Sequence, residues 1–257
     1  MLELQHIHKY YNPGTVNEMC LFDDFNLKIE DEQFVAVVGS NGSGKTSLLN
    51  LICGSIELDS GNVLIDGKDI GREKEYRRNQ YIGRVFQNPA MGTCPSMTIA
   101  ENMSLADNKG RLYGLKAGKN KARMNYYQES LRQLGLGLED KMDVKVGVLS
   151  GGQRQAMALL MSTMTPIRFL ILDEHTAALD PKTAQLIMEL TDKIVREKKL
   201  TTIMVTHNLR YAVEYGDRLL MMHQGKAIID AAGQEKKDMK IDTILEQFNQ
   251  ISIECGN

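Results

Sequence analysis

Eight residues, Gly39 to Thr46, read GSNGSGKT and fit the pattern G-x-x-x-x-G-K-[ST], whose residue types meet the needs of a polyphosphate anion. Backbone N–H groups must approach phosphate oxygens closely, so Gly39, Gly42 and Gly44 suit a tight, donor-rich loop that side chains would obstruct. Lys45 would set a point charge on the β- and γ-phosphates, and the Thr46 hydroxyl would serve Mg2+. Further along, Phe169-Leu170-Ile171-Leu172 runs into Asp173-Glu174. Two adjacent carboxylates closing a buried strand are costly to desolvate without a cation or hydrogen bonds. They point to a metal at Asp173 and to Glu174 as the group that polarises an attacking water. A third stretch, LSGGQRQ from Leu149 to Gln155, opens an apolar run. Ser150 can cap a helix there, and Gly151 and Gly152 either leave its first N–H groups open to an anion or merely allow close packing.

These groups need elements that gather them. Phe34 to Val38 is short, β-branched and apolar, as a buried parallel strand should be, and Ser47 to Ile52 continues as a helix that Gly54 can end. Gln87 closes the strand-like run from Tyr81 to Phe86, and His207 closes the run from Thr202 to Thr206. In a mainly parallel sheet such strand ends share one edge. The glycine-rich loop, Gln87, the Asp173–Glu174 pair and His207 are therefore expected to converge on one crevice.

Residues 2–30 read as two strands around Asn12-Pro13-Gly14, an antiparallel flap from which Tyr11, or its neighbour Tyr10, could stack on an adenine ring. His6 and His8 have period-two spacing without a third ligand nearby, which favours plain strand positions over a metal pair. From Asn88 to Met164 the pattern turns helical, with a capping box at Thr98-Ile99-Ala100-Glu101, and reads as an inserted subdomain. Lys109, Arg111, Lys116, Lys119, Lys121 and Arg123 face only Asp107 there, a solvated basic surface in preference to a patch for anionic lipid or a membrane partner. Asp180-Pro181 starts a helix, Asn208 to Tyr215 forms a short one, Arg218 to Ile229 is a strand pair, and Ile241 to Phe248 is amphipathic.

A length of 257 residues fits one α/β domain, and a net charge of -2 exerts no overall pull toward nucleic acid. Cys20, Cys53, Cys94 and Cys255 are widely spaced and read as reduced cytosolic thiols. No apolar run approaches the ~20 residues of a membrane span, and the first residues lack a signal-peptide pattern, so a soluble cytoplasmic chain is expected.

Taken together, these motifs make the chain similar to the ATP-binding cassette family of ATPases over nearly its whole length. GSNGSGKT resembles the Walker A loop, LSGGQ the family signature, FLILDE the Walker B strand and Ala178-Leu179-Asp180 the D-loop, while Gln87, His207 and Tyr11 match the Q-loop glutamine, the switch histidine and the adenine-stacking aromatic. The resemblance implies an α/β fold with a P-loop NTPase (RecA-like) core, a mainly parallel sheet, an N-terminal antiparallel β flap and an inserted α-helical subdomain. Core and flap would span 1–87 and 165–232, the helical signature subdomain 88–164 and a helical tail 233–257.

It further implies ATP and Mg2+ as cofactors, with nucleotide contacts from Tyr11, Gly39, Ser40, Asn41, Gly42, Ser43, Gly44, Lys45, Thr46 and Ser47. Thr46, Gln87 and Asp173 would serve the metal, and Glu174, His207, Gln87 and Lys45 the hydrolysis. Asp180 would add a nucleotide contact, and a second copy would lie head to tail, closing Ser150, Gly151, Gly152 and Gln153 on the first copy's nucleotide. The cycle would drive a separate transmembrane permease, indirectly serve a solute-binding protein, and place the chain peripherally on the inner face of the cell membrane; a nucleic-acid partner is not expected. RVFQNPAMGTCPSMTIAENMSLA and DEHTAALD look like ATPases of amino-acid-type uptake systems; the alternative is a soluble assembly ATPase of the iron–sulfur scaffold kind. Two positions depart from the family. His175 stands where proline is usual, either a pH-responsive imidazole or a bland loop variant, and Ala156 to Met161 lacks an arginine that many relatives carry.

Overall fold

A computed structural model of the chain describes residues 1–111 and 118–254; Lys116 and Cys255 lie outside the described residues. In chain order the elements are β1 (Leu2–Tyr11), β2 (Met19–Ile29), β3 (Phe34–Gly39), α1 (Lys45–Cys53), β4 (Ser60–Ile65), β5 (Lys68–Asp69), α2 (Glu75–Arg78), β6 (Ile82–Val85), α3 (Ile99–Asp107), α4 (Met124–Arg132), α5 (Gly151–Ser162), β7 (Phe169–Asp173), α6 (Pro181–Lys198), β8 (Thr201–Val205), α7 (Leu209–Glu214), β9 (Arg218–His223), β10 (Lys226–Ala232), α8 (Gly233–Asp238) and α9 (Ile241–Glu254). They fall into two compact units, Met1–Asn79 with Lys199–Asn257, and Gln80–Lys198.

In the first unit, β3 is buried along its whole length, which explains its unbroken apolar run. Strands follow the order β10-β9-β3-β8, with β9 and β8 parallel to β3 and β10 antiparallel to β9. Gly54 ends α1 at φ 79°, its N–H donating to the Asn50 and Leu51 carbonyls, the left-handed stop that glycine provides. The flap is larger than two strands: β4 pairs with β1, giving the antiparallel order β2-β1-β4-β5. Gly61 makes that pairing possible. A Cβ there would sit 2.4 Å from the His6 carbonyl oxygen, where β1 bulges at His6 (φ 53°). His6 and His8 lie in this irregular stretch of β1, paired with Asp24 and Asp23.

In the second unit, β6 and β7 pair in parallel. The helices enclose a core of Ile99, Met103, Tyr127, Leu131, Leu138, Val146, Met157 and Ile187. Thr98 caps α3 with the full capping box to Glu101. The basic stretch is less free than its composition implies. Buried Asp107 accepts from Arg123 Nη2 (3.0 Å) and the Tyr127 hydroxyl (2.9 Å), Lys109 donates to the Ile82 carbonyl, and Lys119 pairs with Asp143. The charges there serve internal contacts as well as solvent.

Cys20, Cys53 and Cys94 are thiols. No described helix is long and apolar enough to cross a membrane.

Candidate active site

The glycine-rich loop leaves β3 and turns into α1. Gly42 and Gly44 adopt φ 76° and 103°, values that L side chains rarely take, and a Cβ on Gly39 would come within 2.3 Å of the Met222 carbonyl oxygen on β9. Lys45 is buried, and its ammonium folds back across the loop, donating to the Gly39 and Ser40 carbonyls at 2.8 Å each. Gly44 holds the N-cap position of α1 with no side-chain cap, so the positive end of this helix is left for an anion. Ser40, Asn41, Gly42 and Thr46 are exposed, Ser43 is buried, and Ser47 meets the Tyr11 hydroxyl at 3.1 Å. That contact ties the Tyr11 side chain to the start of α1, while the Tyr10 backbone N–H donates to Asp59.

The far end of α1 is held by a residue that sequence reasoning missed. Buried Arg78 donates through Nη1 to the Leu51 and Ile52 carbonyls (2.7 and 3.0 Å), through Nη2 to Gly71 and through Nε to Glu73. A guanidinium at the negative end of the loop's helix is favourable both as hydrogen-bond donor and as charge. Nothing in its local spacing marks Arg78 out, because its partners on α1, Leu51 and Ile52, lie far back in the chain.

His207 follows β8, the parallel neighbour of β3, in register at Val37 and Val205, and Thr206 N–H donates to the Val37 carbonyl. It is exposed beside Asn208, whose side chain caps α7. The first unit thus brings the glycine-rich loop, Tyr11 and His207 to one edge.

In the second unit, β6 and β7 are in register at Val85 and Leu172, so exposed Gln87 and half-buried Asp173 and Glu174 follow at the same strand ends. Phe86 is clamped by its carbonyl, which accepts from the fully buried Gln155 amide at 3.2 Å. Asp173 is paired with Arg84 of β6 at 3.0 Å, so part of the counter-charge expected from a metal comes from the protein itself. Glu174 takes φ 48°, left-handed for a residue that avoids it, a conformation that costs about 1–3 kcal/mol.

Next to it, His175 is buried, with Nε2 3.1 Å from Thr191 Oγ1. Thr191 donates to the Ile187 carbonyl, so its oxygen accepts from Nε2–H. Burial pushes the imidazole pKa down to about 4. A pKa lowered by burial favours the bland loop variant over a group that responds to pH near neutrality.

Ser150 caps α5, accepting from Gln153 N–H and donating its own N–H to the Gln153 side chain, both at 3.2 Å. The N–H groups at this helix start are consequently not all open. Gln153 N–H is occupied, and buried Gly152 serves close packing, since a Cβ there would lie 2.2 Å from Thr183 Cγ2. Ser150 is exposed and Gly151 half-buried. Asp180 caps the start of α6 by accepting from Thr183 N–H (3.1 Å), and its hydrogen bonds to the Thr183 side chain and N–H hold its carboxyl below the usual value. The starts of α5 and α6 therefore meet at Gly152 and Thr183.

Comparison with known proteins converges on one family. The model described as ABC transporter matches residues 22–177. A tyrosine transport ATP-binding protein of Clostridioides difficile is 47% identical over 248 residues, covering 96% of this chain and 98% of that protein. A spermidine/putrescine import ATP-binding protein of Haemophilus influenzae is 34% identical over 91% of this chain, which spans only 59% of that longer relative. Among solved structures, the dimeric post-hydrolysis state of an ATP-binding cassette bound to ADP and Pi superposes with a TM-score of 0.76 at 29% identity, over 90% of this chain and 98% of that one. The ADP conformation of another such cassette gives 0.81 at 25% identity over 100% of this chain and 99% of that one.

Proposed function

The chain belongs to the ABC transporter family of ATP-binding cassettes, and on that premise we propose that it is the ATP-hydrolysing subunit of an importer of amino acids or a similar small solute. The 47% identity to a protein named for tyrosine transport favours an amino-acid cargo, carried by a separate permease. Cassettes of this family bind ATP, dimerise and pair with membrane permeases. Here the chain sits peripherally on the inner membrane face, and residues 88–164 form the signature subdomain. A soluble scaffold-assembly role is not favoured, because the named relatives are transport and import proteins.

In this reading the loop N–H groups and Lys45 hold the β- and γ-phosphates, and Tyr11 stacks on the adenine. Glu174 polarises the attacking water while His207 contacts the γ-phosphate. Ser150, Gly151, Gly152 and Gln153 of one copy close on the nucleotide of the other, and Asp180 adds a further nucleotide contact. Thr46, Asp173 and Gln87 offer hydroxyl, carboxylate and amide oxygens, a hard donor set suited to Mg2+. When bound, that ion supplies charge neutralisation on the phosphates.

The observation that carries the reading is the buried Lys45 ammonium lying across a glycine-dictated loop at the uncapped start of α1. Phosphate release from ATP by purified protein tests it. Lys45→Ala should lose roughly a hundredfold or more in rate, the scale of removing a preorganised charge-stabilising group. Hydrolysis by the variant at the wild-type rate would remove the basis of the proposal.

A further inference from the structure

Asp173, the carboxylate that the proposed function assigns to Mg2+, is half of an ion pair. Arg84 Nη2 donates to Asp173 Oδ2 at 3.0 Å, and the two side chains are only 11% and 13% exposed. The guanidinium also lies over the Phe86 ring, 4.7 Å from its centroid, so the arginine is packed in place and is not a floating surface charge. Its Nε is buried without a hydrogen-bond partner among the described residues, a cost retained alongside the ion pair. Arg84 occupies β6 between buried Gly83 and Val85, one register step from Leu172, so the pairing is fixed by the parallel ladder.

We propose that Arg84 is a positioning residue that competes with the divalent cation for Asp173, holding the carboxylate in place while weakening cation binding to the nucleotide-loaded site. This inference rests on the assignment of Asp173 to the metal. Two cations sharing one part-buried carboxylate repel each other at short range, where water screens poorly. The fixed positive charge of Arg84 therefore lowers the affinity for a second, double charge at the same oxygens. Removing the charge should tighten cation binding, which separates this role from ordinary support of the fold, whose loss would loosen it.

The test measures Mn2+ affinity for full-length protein with saturating ADP, from the paramagnetic resonance signal of unbound Mn2+, so that hydrolysis plays no part. Arg84→Gln should bind Mn2+ about tenfold more tightly than wild type, the order expected for removing one like charge at a part-buried site. Arg84→Lys, which retains the charge, should stay within about threefold of wild type. If Arg84→Gln does not fold, Arg84→Met keeps the stem over Phe86 without the charge and carries the same expectation. Unchanged or weaker Mn2+ binding in the folded neutral variant overturns the proposal. Absence of ADP binding by the wild type would instead overturn the assignment of the nucleotide site.

Discussion

His175 should make the fold acid-sensitive in a window that can be calculated. In the native state its pKa is about 4, with burial as the only cause, whereas an unfolded histidine titrates near its ordinary value of 6.5. Between these values the unfolded chain binds a proton that the native chain refuses, so stability falls as pH drops through 6.5 and levels off below about 4. The full contribution is roughly 3 kcal/mol, of which about 2 kcal/mol develops between pH 7 and pH 5. Thr191 cannot relieve the cost, since its hydroxyl proton is committed to Ile187 and its oxygen already accepts from Nε2–H.

Urea unfolding of wild type and His175→Gln at pH 7 and pH 5 isolates this contribution, because all other titrating groups are common to both. The wild type should lose about 2 kcal/mol more than the variant over that interval. Between pH 6 and 8, where the native imidazole stays neutral, the two should show superimposable pH profiles of ATP turnover. Equal acid sensitivity of stability in both proteins would refute the assignment of a buried, neutral imidazole.

Arg78→Met removes the donors to the Leu51, Ile52, Gly71 and Glu73 carbonyls at the end of α1 and should cost about 2–4 kcal/mol, read as a lower urea midpoint. Tyr127→Phe deletes the hydroxyl bonded to buried Asp107 and should cost about 1.5–3 kcal/mol, with ATP affinity unchanged in a nucleotide titration. Gly152→Ala drives a Cβ to 2.2 Å from Thr183 Cγ2, and should destabilise by about 1–3 kcal/mol in thermal unfolding; Thr183→Ser, which removes that methyl, should recover most of the loss.

The parts legible in the sequence are those whose cause is local. The loop from Gly39 to Thr46 needs left-handed residues and a lysine within a few positions, and Gly54, Thr98 and Ser150 punctuate helices through neighbours three or four residues away. What stayed hidden depends on partners distant along the chain. Pairing of β4 with β1, Arg78 with the end of α1 and Arg84 with Asp173 are each made only when the chain folds. The close packing of Gly152 was equally hidden, because it depends on Thr183, which lies far along the chain. The positive φ of Glu174 was also invisible, because a glutamate does not advertise a left-handed backbone as a glycine does. The burial of His175 was hidden for a related reason: a lone polar residue in a turn has no periodicity from which burial can be read.

The most direct measurement is the mass of Glu174→Gln by light scattering, with and without ATP and Mg2+. If Glu174 polarises the attacking water and two copies enclose the nucleotide, the variant should pass from the 28.9 kDa chain to a species of about twice that mass on adding ATP, with one nucleotide retained per chain. A variant that binds ATP yet keeps the mass of a single chain at every protein concentration would contradict the account.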